Sequence, residues 1–375
     1  MLPIPCPLDN LDPAELDGRA GRNRSPQPGL LGATTDLQAV RAWLAEVGDS
    51  PQTFRAYRKE AERLLLWSLL ERGRALSDLD REDLQAFEEF LADPQPRARW
   101  CGPTAPRHSE RWRPFRGPLG PASRHTAMVI VHGLFAYLVA AGYLYRNPLA
   151  LRRRRRPAPN SGAPERFLEA AEWQALRHTV ATLPRDSRRQ QVHHQRCRLL
   201  LHVLFLLGAR VGEVASARMG DFVQRRGQWW WQVTGKGGKA AQVPVNTEML
   251  AALRDYRCFL GWPPEPLPGE ARPLIVALDG QRGVSANMLY RIVRRLLHDT
   301  AERVDDPRAA ARLRQASIHW LRHTSISAQL HAGLDIATVQ RNARHSRLET
   351  TGAYLHEEET RWHEAMERHR LDDTD

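Results

Sequence analysis

The spacing of apolar positions divides the first 150 residues into four predicted helices. They cover about 35–47, the stretch from Ser50-Pro51 to Gly73, the stretch from Asp80 to just before Pro94, and about 122–145. Ser50-Pro51 joins a capping residue to a proline in the first turn, and glycine ends a helix. Asp83, three residues after Asp80, completes a capping box. The pattern therefore predicts a small all-helical domain at 35–150.

The last of these helices contains an uncharged stretch of nineteen positions, 127–145, which is close to the length of a membrane span. His132, Gly133 and Gly142 interrupt the stretch, and its middle is not rich in leucine or isoleucine. We therefore predict a buried core helix and no membrane contact.

From Leu168 onwards the pattern predicts a second domain, mostly helical, with a small antiparallel sheet. The runs WWWQV (229–233) and AAQVPV (240–245) flank the Gly-rich turn TGKGGK and predict a hairpin, and LIVAL (274–278) predicts a short strand. Helices are predicted at 169–182, 187–207, 210–219, 247–260, 285–303 and, with breaks, 307–369. The predicted fold class is mainly α with a small antiparallel β-sheet (α+β).

Three segments lack this periodicity. Residues 1–34 are rich in proline, glycine and aspartate and are predicted to be a disordered tail. Residues 94–121 hold seven prolines, six arginines and two tryptophans, which excludes regular helix and predicts a long inserted loop. Residues 151–167 read LRRRRRPAPNSGAPERF and predict a basic linker to a second domain at 168–375.

Charge narrows the function, because the chain carries a formal net charge of +12 and a pI near 10.2. Residues 94–166 contain fourteen arginines and two acidic residues, so this region holds the whole excess. Such clustering favours a localised nucleic-acid surface over a generally basic protein. Five consecutive linker arginines either lie along phosphates as DNA-binding residues or are simply solvated: Arg152, Arg153, Arg154, Arg155 and Arg156.

Cysteine spacing bears on the compartment. Cys6, Cys101, Cys197 and Cys258 are far apart and form no CxxC pair, which suits a reducing cytosol and argues against structural zinc. Prolines at positions 3, 5 and 7 interrupt the start, so no signal peptide is predicted. We expect a cytoplasmic, bacterial nucleoid-associated protein that needs no cofactor and no metal.

Two segments of the second domain contain candidate chemistry. Arg210 and Glu213 share a helix face, where a buried arginine needs an anion from a ligand or from the protein, as in a structural Arg–Glu pair. Lys236 lies in the Gly-rich turn, in a chain whose 55 basic residues include only three lysines. Because an ammonium can give up a proton and a guanidinium cannot, Lys236 is either a general acid or an ordinary turn residue.

Two further segments follow. His319 and Arg322 share a helix face in IHWLRHTSISAQL (318–330), and together they can bind one phosphate and exchange protons near it. His319 and His323 have the spacing of metal ligands, but HExxH is absent, which argues against zinc. Tyr354 follows His345 by nine residues in NARHSRLETTGAYLH (342–356). Alone, this tyrosine is either a packing residue or a nucleophile.

The order of these segments resembles that of the tyrosine recombinase, or phage integrase, family. The family's motifs look like TGLRxSEL, a GKG hairpin, HxLRHT and LGHSSIxTTxxY. This chain reads LGARVGEV, TGKGGK, HWLRHT and ARHSRLETTGAY. The resemblance covers about 168–370 strongly, and 35–150 more loosely resembles the family's helical, SAM-like core-binding domain.

The resemblance implies a site-specific recombinase or integrase that cleaves and rejoins DNA through a 3′-phosphotyrosyl intermediate, without metal or ATP. Glu213 would support Arg210, and Lys239 would contact DNA. The implied catalytic residues all act on the scissile phosphate or on the oxygens that it gains and loses: Arg210, Lys236, His319, Arg322, His345 and Tyr354.

The resemblance also implies partners: double-stranded DNA with inverted-repeat core sites, and three further copies of the chain in a synaptic tetramer. The last helix, EEETRWHEAMERH (357–369), has an apolar face and lies in a segment of net charge −5 (356–375), so it either docks on a neighbouring protomer or packs in cis. Two alternative functions are a type IB topoisomerase and a non-catalytic architectural DNA-binding protein.

Two features depart from the family. Ala343-Arg344 stands where Leu-Gly is usual, so Arg344 either reshapes the turn that presents His345 or adds a phosphate contact. The insertion at 94–121 is not a general family feature, and it suits either DNA contact or a protein partner.

Overall fold

The computed structural model describes six ranges of the chain: 5–11, 17–27, 29–48, 50–152, 166–235 and 240–344. Two compact units divide between Ala163 and Pro164, inside the predicted basic linker. The predicted fold class, mainly helical with one small antiparallel sheet, is confirmed.

In the N-terminal unit the described residues form five α-helices: α1 (Asp36–Ala45), α2 (Pro51–Arg72), α3 (Arg81–Ala92), α4 (Arg97–Trp100) and α5 (Pro121–Ala140). The Ser50 side chain caps α2, and Gly73 ends it at φ 61°. Asp80 and Asp83 form the capping box of α3. These starts and stops depend on local side-chain chemistry, and their prediction is confirmed.

Helix α5 lies in the core of the N-terminal unit. Met128, Val131, Leu134 and Phe135 are at most 1% exposed, so the prediction of a buried core helix is confirmed. The helix ends at Ala140 and not near 145, because the chain turns at Gly142, which adopts φ 70°. Within the described ranges, no helix is both long enough and apolar enough to cross a membrane.

The Pro-rich insertion at 94–121 contributes to the core of this unit. It contains one helical turn, α4, although the prediction excluded regular helix. Trp100 and Phe115 are 0% and 1% exposed, and the indole Nε1 of Trp100 donates to Glu71 Oε1 at 2.8 Å. Buried in this way, Trp100 is unavailable for stacking on DNA bases. Outside α4, residues 94–120 form no regular helix or strand, as a long loop does. The sequence missed only the burial, because aromatic residues among prolines can be buried without helical periodicity.

The prediction of a disordered tail at 1–34 is wrong for the part of that segment that the structure describes. Leu8 and Leu11 are 2% and 7% exposed. The backbone N–H of Leu8 donates to Glu62 Oε1 at 2.7 Å, and Asn23 Nδ2 donates to the Arg146 carbonyl at 2.8 Å. Isolated apolar anchors and long-range hydrogen bonds fix this segment, and neither leaves a periodic signal in the sequence.

Replacing Leu8 with alanine is expected to lower the free energy of unfolding of the N-terminal unit by about 2–5 kcal/mol, the usual range for a buried leucine. Chemical denaturation followed by tryptophan fluorescence measures the change. Leu30→Ala is the matched control, since Leu30 belongs to the same segment but is 87% exposed. Small and equal changes in both variants would restore the tail interpretation.

The C-terminal unit combines helices with a sheet of order β1-β2-β3, antiparallel throughout. Its described strands are β1 (Phe222–Arg225), β2 (Gln228–Thr234) and β3 (Ala240–Pro244). Its described helices are α6 (Ala170–Ala181), α7 (Arg188–Leu206), α8 (Val211–Ser216), α9 (Thr247–Phe259), α10 (Ala286–Ala301), α11 (Pro307–Gln315), α12 (Ile318–His331) and α13 (Ile336–Ala343).

Two strand predictions in this unit need correction. The apolar pattern misses β1, because its four residues, FVQR, are too few and too polar to alternate. The run LIVAL at 274–278 forms no strand: Leu274 and Ile275 are buried, but the β-bridge from Val276 to Gly283 is isolated and does not extend into a ladder. A buried apolar run gives the same sequence pattern whether or not its backbone finds a full ladder partner.

The turn after α7 sets the approach of two helices. Gly208 adopts φ 53° there, and a Cβ on it would lie 3.2 Å from Ser325 Oγ on α12. Glycine therefore allows both the left-handed turn and the close packing of α12. As a result, the start of α8, with Arg210, lies beside the part of α12 that contains Arg322.

Candidate active site

Arg210 and Glu213 together form the start of α8. The backbone N–H of Arg210 donates to Glu213 Oε2 at 2.8 Å, and its Nη1 donates to Glu213 Oε1 at 2.9 Å. The carboxylate is therefore held by the backbone and the side chain of the same residue. Glu213 is buried, whereas the Arg210 side chain is 37% exposed, so part of this guanidinium faces solvent.

Arg322 lies on α12 and is only 6% exposed. Its Nη1 donates to the carbonyl of Gly208, and its Nη2 donates to the carbonyl of Ala343. A buried guanidinium needs acceptors of this kind, because leaving its N–H groups without partners costs free energy. These bonds join α12 to the turn after α7 and to the end of α13.

Arg344 ends α13 in the left-handed conformation, at φ 55° and ψ 43°. Its side chain is 6% exposed, and its Nη2 donates to Glu213 Oε2 at 2.8 Å. Its backbone carbonyl accepts a 3.1 Å hydrogen bond from Arg210 Nη2. The turn at 343–344 is therefore bound by both candidate phosphate-binding arginines, and its own side chain binds the same carboxylate as Arg210.

The electrostatics of this cluster depend on Glu213. Burial alone would raise the pKa of its carboxyl, but the neighbouring guanidinium of Arg344 and hydrogen bonds from Arg210 hold that pKa below its ordinary value. Burial lowers the pKa of Arg344, and Glu213 opposes that effect. The buried ion pair therefore stays charged at neutral pH.

The two histidines of α12 differ in environment. His319, three residues before Arg322, is exposed. His323 is half-buried, and burial, together with the nearby charges of His319 and Arg322, lowers its pKa to about 4. His323 is therefore neutral at pH 7, whereas the exposed His319 side chain can reach groups outside the fold.

The structure brings together Arg210, Glu213 and Arg322, with His319 on the same helix as Arg322. The other predicted site residues lie outside the described ranges: Arg153, Arg154, Arg155, Arg156, Lys236, Lys239, His345 and Tyr354. His345 follows Arg344 directly in the sequence, so the segment with the candidate nucleophile begins at this cluster.

Arg152 is the one predicted DNA-binding arginine of the linker that the structure describes. Its Nη2 lies 2.7 Å from Glu88 Oε1, and its side chain is 20% exposed. Glu88 neutralises part of the charge of Arg152, so this arginine attracts phosphates less strongly than the sequence suggests.

Sequence reasoning missed two features of the site. The carbonyl of Gly208 accepts hydrogen bonds from both Arg322 and Arg344, so this glycine contributes an acceptor as well as a turn. The Arg344 side chain is buried and bonded to Glu213, an arrangement that neither of its two predicted roles, a reshaped turn or a phosphate contact, included. The only sequence feature that pointed to a special role for position 344 was an arginine where the resembled family usually has glycine.

A cavity of about 770 Å³ opens beside Glu213, between α8 and the sheet, with Arg218, Asp221 and Arg225 in its wall. Across the described ranges, no group of three or more His, Cys, Asp or Glu side chains converges as metal ligands do. The guanidiniums of Arg210, which is partly open to solvent, and Arg322 suit an oxyanion such as phosphate, which accepts several forked hydrogen bonds.

Relatives with known names match this chain over long stretches. The Phage integrase family profile matches residues 166–361, more than half of the chain. A tyrosine recombinase of Synechococcus elongatus is 34% identical over 193 residues, which span 48% of this chain and 55% of that protein. The tyrosine recombinase XerC of Rhodospirillum centenum is 28% identical over 329 residues, which span 86% of this chain and 82% of that protein.

The fold has a close counterpart among solved structures. The crystal structure of XerH site-specific recombinase bound to palindromic difH substrate, a post-cleavage complex, matches with a TM-score of 0.60. The match covers 97% of this chain and 99% of that one at 17% identity, and at this identity it shows the fold. With the fold and the family profile in agreement, the chain belongs to the phage integrase family, the tyrosine recombinases.

Proposed function

We propose that this enzyme is a site-specific recombinase that cleaves and rejoins double-stranded DNA through a 3′-phosphotyrosyl intermediate on Tyr354. The observation that supports this most strongly is the meeting of Arg210 and Arg322 at the backbone of residues 343–344. That backbone leads directly into the segment containing His345 and Tyr354. Tyr354 thus follows by ten residues Arg344, in the turn where two groups suited to hold a phosphate meet.

Arg210 and Arg322 can stabilise the negative charge of the phosphate during the reaction. A phosphodiester repels a nucleophile and gains charge on its non-bridging oxygens during transfer, so donors to those oxygens accelerate it. Arg210, whose guanidinium is partly exposed, and Arg322 would supply these donors to the phosphate oxygens. Glu213, 2.9 Å from the guanidinium of Arg210, would keep that group oriented.

In the proposed step, Tyr354 Oη forms a bond to phosphorus while the bond from phosphorus to the 5′ oxygen breaks. The tyrosine proton passes to His319, and Lys236 gives a proton to the departing 5′ oxygen. His345 donates a hydrogen bond to the phosphate. Because the phosphotyrosyl bond retains the energy of the phosphodiester, a 5′ hydroxyl of another strand can reverse the step without ATP.

Lys236→Ala is expected to slow cleavage of an ordinary duplex by about 10²-fold, as loss of a general acid does, but to cleave a 5′-bridging phosphorothiolate duplex at nearly the wild-type rate. A thiolate leaves without a proton, so it bypasses the acid. Single-turnover cleavage of both duplexes measures the rescue. Lys239→Ala, in the same turn, is the matched control and should show no selective rescue. Equal losses on both duplexes in Lys236→Ala would remove it from the acid role.

The DNA partner follows from the same site and from the basic linker. We infer double-stranded DNA with inverted-repeat core sites, contacted by Lys239 and by arginines 152–156, and a tetramer of this chain when two sites meet. The structure of XerH bound to palindromic difH substrate supports a palindromic site. The acidic last segment, 356–375, would contact a neighbouring protomer and not DNA, since its net charge repels phosphates.

A plasmid assay separates this function from its nearest alternative. Full-length protein first selects its binding site from random duplexes, and two copies of that site are then placed on a supercoiled plasmid. We expect resolution or inversion products that depend on both copies. Relaxation without such products would support a type IB topoisomerase, and binding without either product would support an architectural protein. The named relatives are all recombinases, which favours the first outcome.

A further inference from the structure

Arg344 combines an unfavourable backbone conformation with a buried charge. It is one of two described residues other than glycine with positive φ, at 55°, a region that L-residues seldom adopt. The other, Arg226 at φ 51°, lies in the exposed turn between β1 and β2. An arginine at the end of α13 is therefore disfavoured locally twice, by its backbone and by its burial, and its contacts must offset both.

Those contacts converge on one carboxylate and the backbone around it. Nε and Nη2 of Arg344 lie 3.3 and 2.8 Å from Glu213 Oε1 and Oε2, the forked geometry that fits a guanidinium to a carboxylate. Nη1 donates to the Asn342 carbonyl at 2.6 Å, and Nη2 also donates to the Gly208 carbonyl at 3.1 Å. Arg210 makes one side-chain bond to the same carboxylate, at 2.9 Å.

We propose that Arg344 is a positioning residue for catalysis: it fixes the carboxylate of Glu213, and through it Arg210, relative to the chain that leads into His345 and Tyr354. This inference rests on the proposed function. Arg344 makes two side-chain bonds to Glu213, whereas Arg210 makes one. Arg344 therefore constrains Nη1 of Arg210 through Glu213, and it constrains Nη2 of Arg210 through its own backbone carbonyl. Its effect on the phosphate is indirect, because the N–H donors of its guanidinium already bond to Glu213 and to the backbone carbonyls of Leu207, Gly208 and Asn342.

If Arg344 served only to form the turn at the end of α13, glycine would suit this position better. Glycine adopts positive φ without strain, so a turn alone would favour glycine at this position. The contacts with Glu213 and Gly208 are what only a long, forked side chain can make. The two explanations therefore predict opposite results for Arg344→Gly: an improved turn with normal cleavage, or a well-folded protein with impaired cleavage.

The test compares single-turnover cleavage of a nicked suicide duplex by full-length Arg344→Gly, Arg344→Lys and Arg344→Met, alone and combined with Glu213→Gln. DNA binding and thermal unfolding are measured for each variant. Arg226→Gly is the matched control, with the same substitution at a left-handed but exposed position. Wild-type protein that forms no covalent adduct on its selected site would overturn the proposed function itself, and only a cleaving wild type tests Arg344.

We expect Arg344→Gly and Arg344→Met to cleave on the order of 10²-fold more slowly than wild type, with DNA affinity unchanged, as misplaced reacting groups do. Arg344→Lys should fall between them and wild type, and Arg226→Gly should match wild type. In the Glu213→Gln background, Arg344→Met should cause little further loss of cleavage rate, because the ion pair through which Arg344 acts is already absent. Equal losses in both backgrounds, or normal cleavage by Arg344→Gly, would overturn the inference.

The pH profile gives a readout that a structural role would not move. Removing Arg344 takes away a charge that holds the pKa of Glu213 low, so cleavage by Arg344→Met should fall off with acidification at a higher pH than wild type. Among the described residues, Arg210 also contacts Glu213, and Arg218, Asp221 and Arg225 line the same cavity as this carboxylate; all of them remain in this variant. An unchanged acidic limb would contradict the proposal.

Discussion

Replacing Tyr354 with phenylalanine is expected to reduce covalent protein–DNA adducts below detection while leaving DNA binding intact. The substitution removes only the hydroxyl that would attack phosphorus, and the aromatic ring remains for packing. Wild type and variant are incubated with a nicked suicide duplex carrying the selected site, and adducts are separated on a denaturing gel. Binding is measured on the intact duplex by gel shift.

Tyr290→Phe is the matched control for this experiment. Tyr290 lies on α10, is 41% exposed and takes no part in the site. Its variant should form adducts at the wild-type level. Normal adduct formation by Tyr354→Phe would show that another group attacks the phosphate, and loss of both binding and adducts would assign Tyr354 to packing.

Replacing Arg210 with alanine is expected to slow single-turnover cleavage by about 10³–10⁵-fold, the range for an arginine that stabilises transferring phosphoryl charge. The loss should appear mainly in the rate and less in affinity, because the proposed bonds strengthen as charge develops on the phosphate oxygens. Arg210→Lys should recover part of the rate, since it restores the charge but not the forked donors.

Folding effects can be separated from this loss. The Arg210 side chain is 37% exposed, and Glu213 keeps its bonds to Arg344, so thermal unfolding should change little. Arg282→Ala is the matched control, because Arg282 also belongs to an i, i+3 ion pair, with Asp279, but is 84% exposed. An Arg210→Ala variant that cleaves within tenfold of wild type would exclude this residue from holding the phosphate.

Local chemistry explains which parts of the fold could be predicted from the sequence. The start of α2 at Ser50-Pro51, its end at Gly73 and the capping box of α3 each depend on residues within one turn of each other. The pairing of Arg210 with Glu213 likewise follows from a spacing of three at a helix start. Information of this kind lies in a short window, so the apolar pattern and the capping residues suffice.

Contacts between distant segments explain the rest. Trp100 and Leu8 are buried, and each donates a hydrogen bond to a distant glutamate, Glu71 and Glu62 respectively. Neither residue belongs to a periodic apolar pattern. The position of Arg344 in the sequence suggested either a reshaped turn or an exposed phosphate contact. Its burial depends on Glu213 and Gly208, which are more than a hundred residues away in the chain and become neighbours only through folding.

This difference matters for the site, because the sequence identifies which residue types can grip a phosphate but not how they are held. Arg210 and Arg322 are recognisable from their motifs, whereas the shared acceptors at Gly208 and the 343–344 turn are not. The structure therefore shows which backbone carbonyls hold the two arginines. Those at residues 343–344 connect the arginines to the segment that contains Tyr354.

The most direct test of the central claim identifies the residue that joins DNA. Wild-type protein is trapped on the nicked suicide duplex, the DNA is digested with nuclease, and tryptic peptides are analysed by mass spectrometry. We expect a nucleotide linked through phosphate to the peptide LETTGAYLHEEETR (348–361), whose single tyrosine is Tyr354. An adduct on any other peptide, or cleavage of the selected site with no adduct, would contradict it.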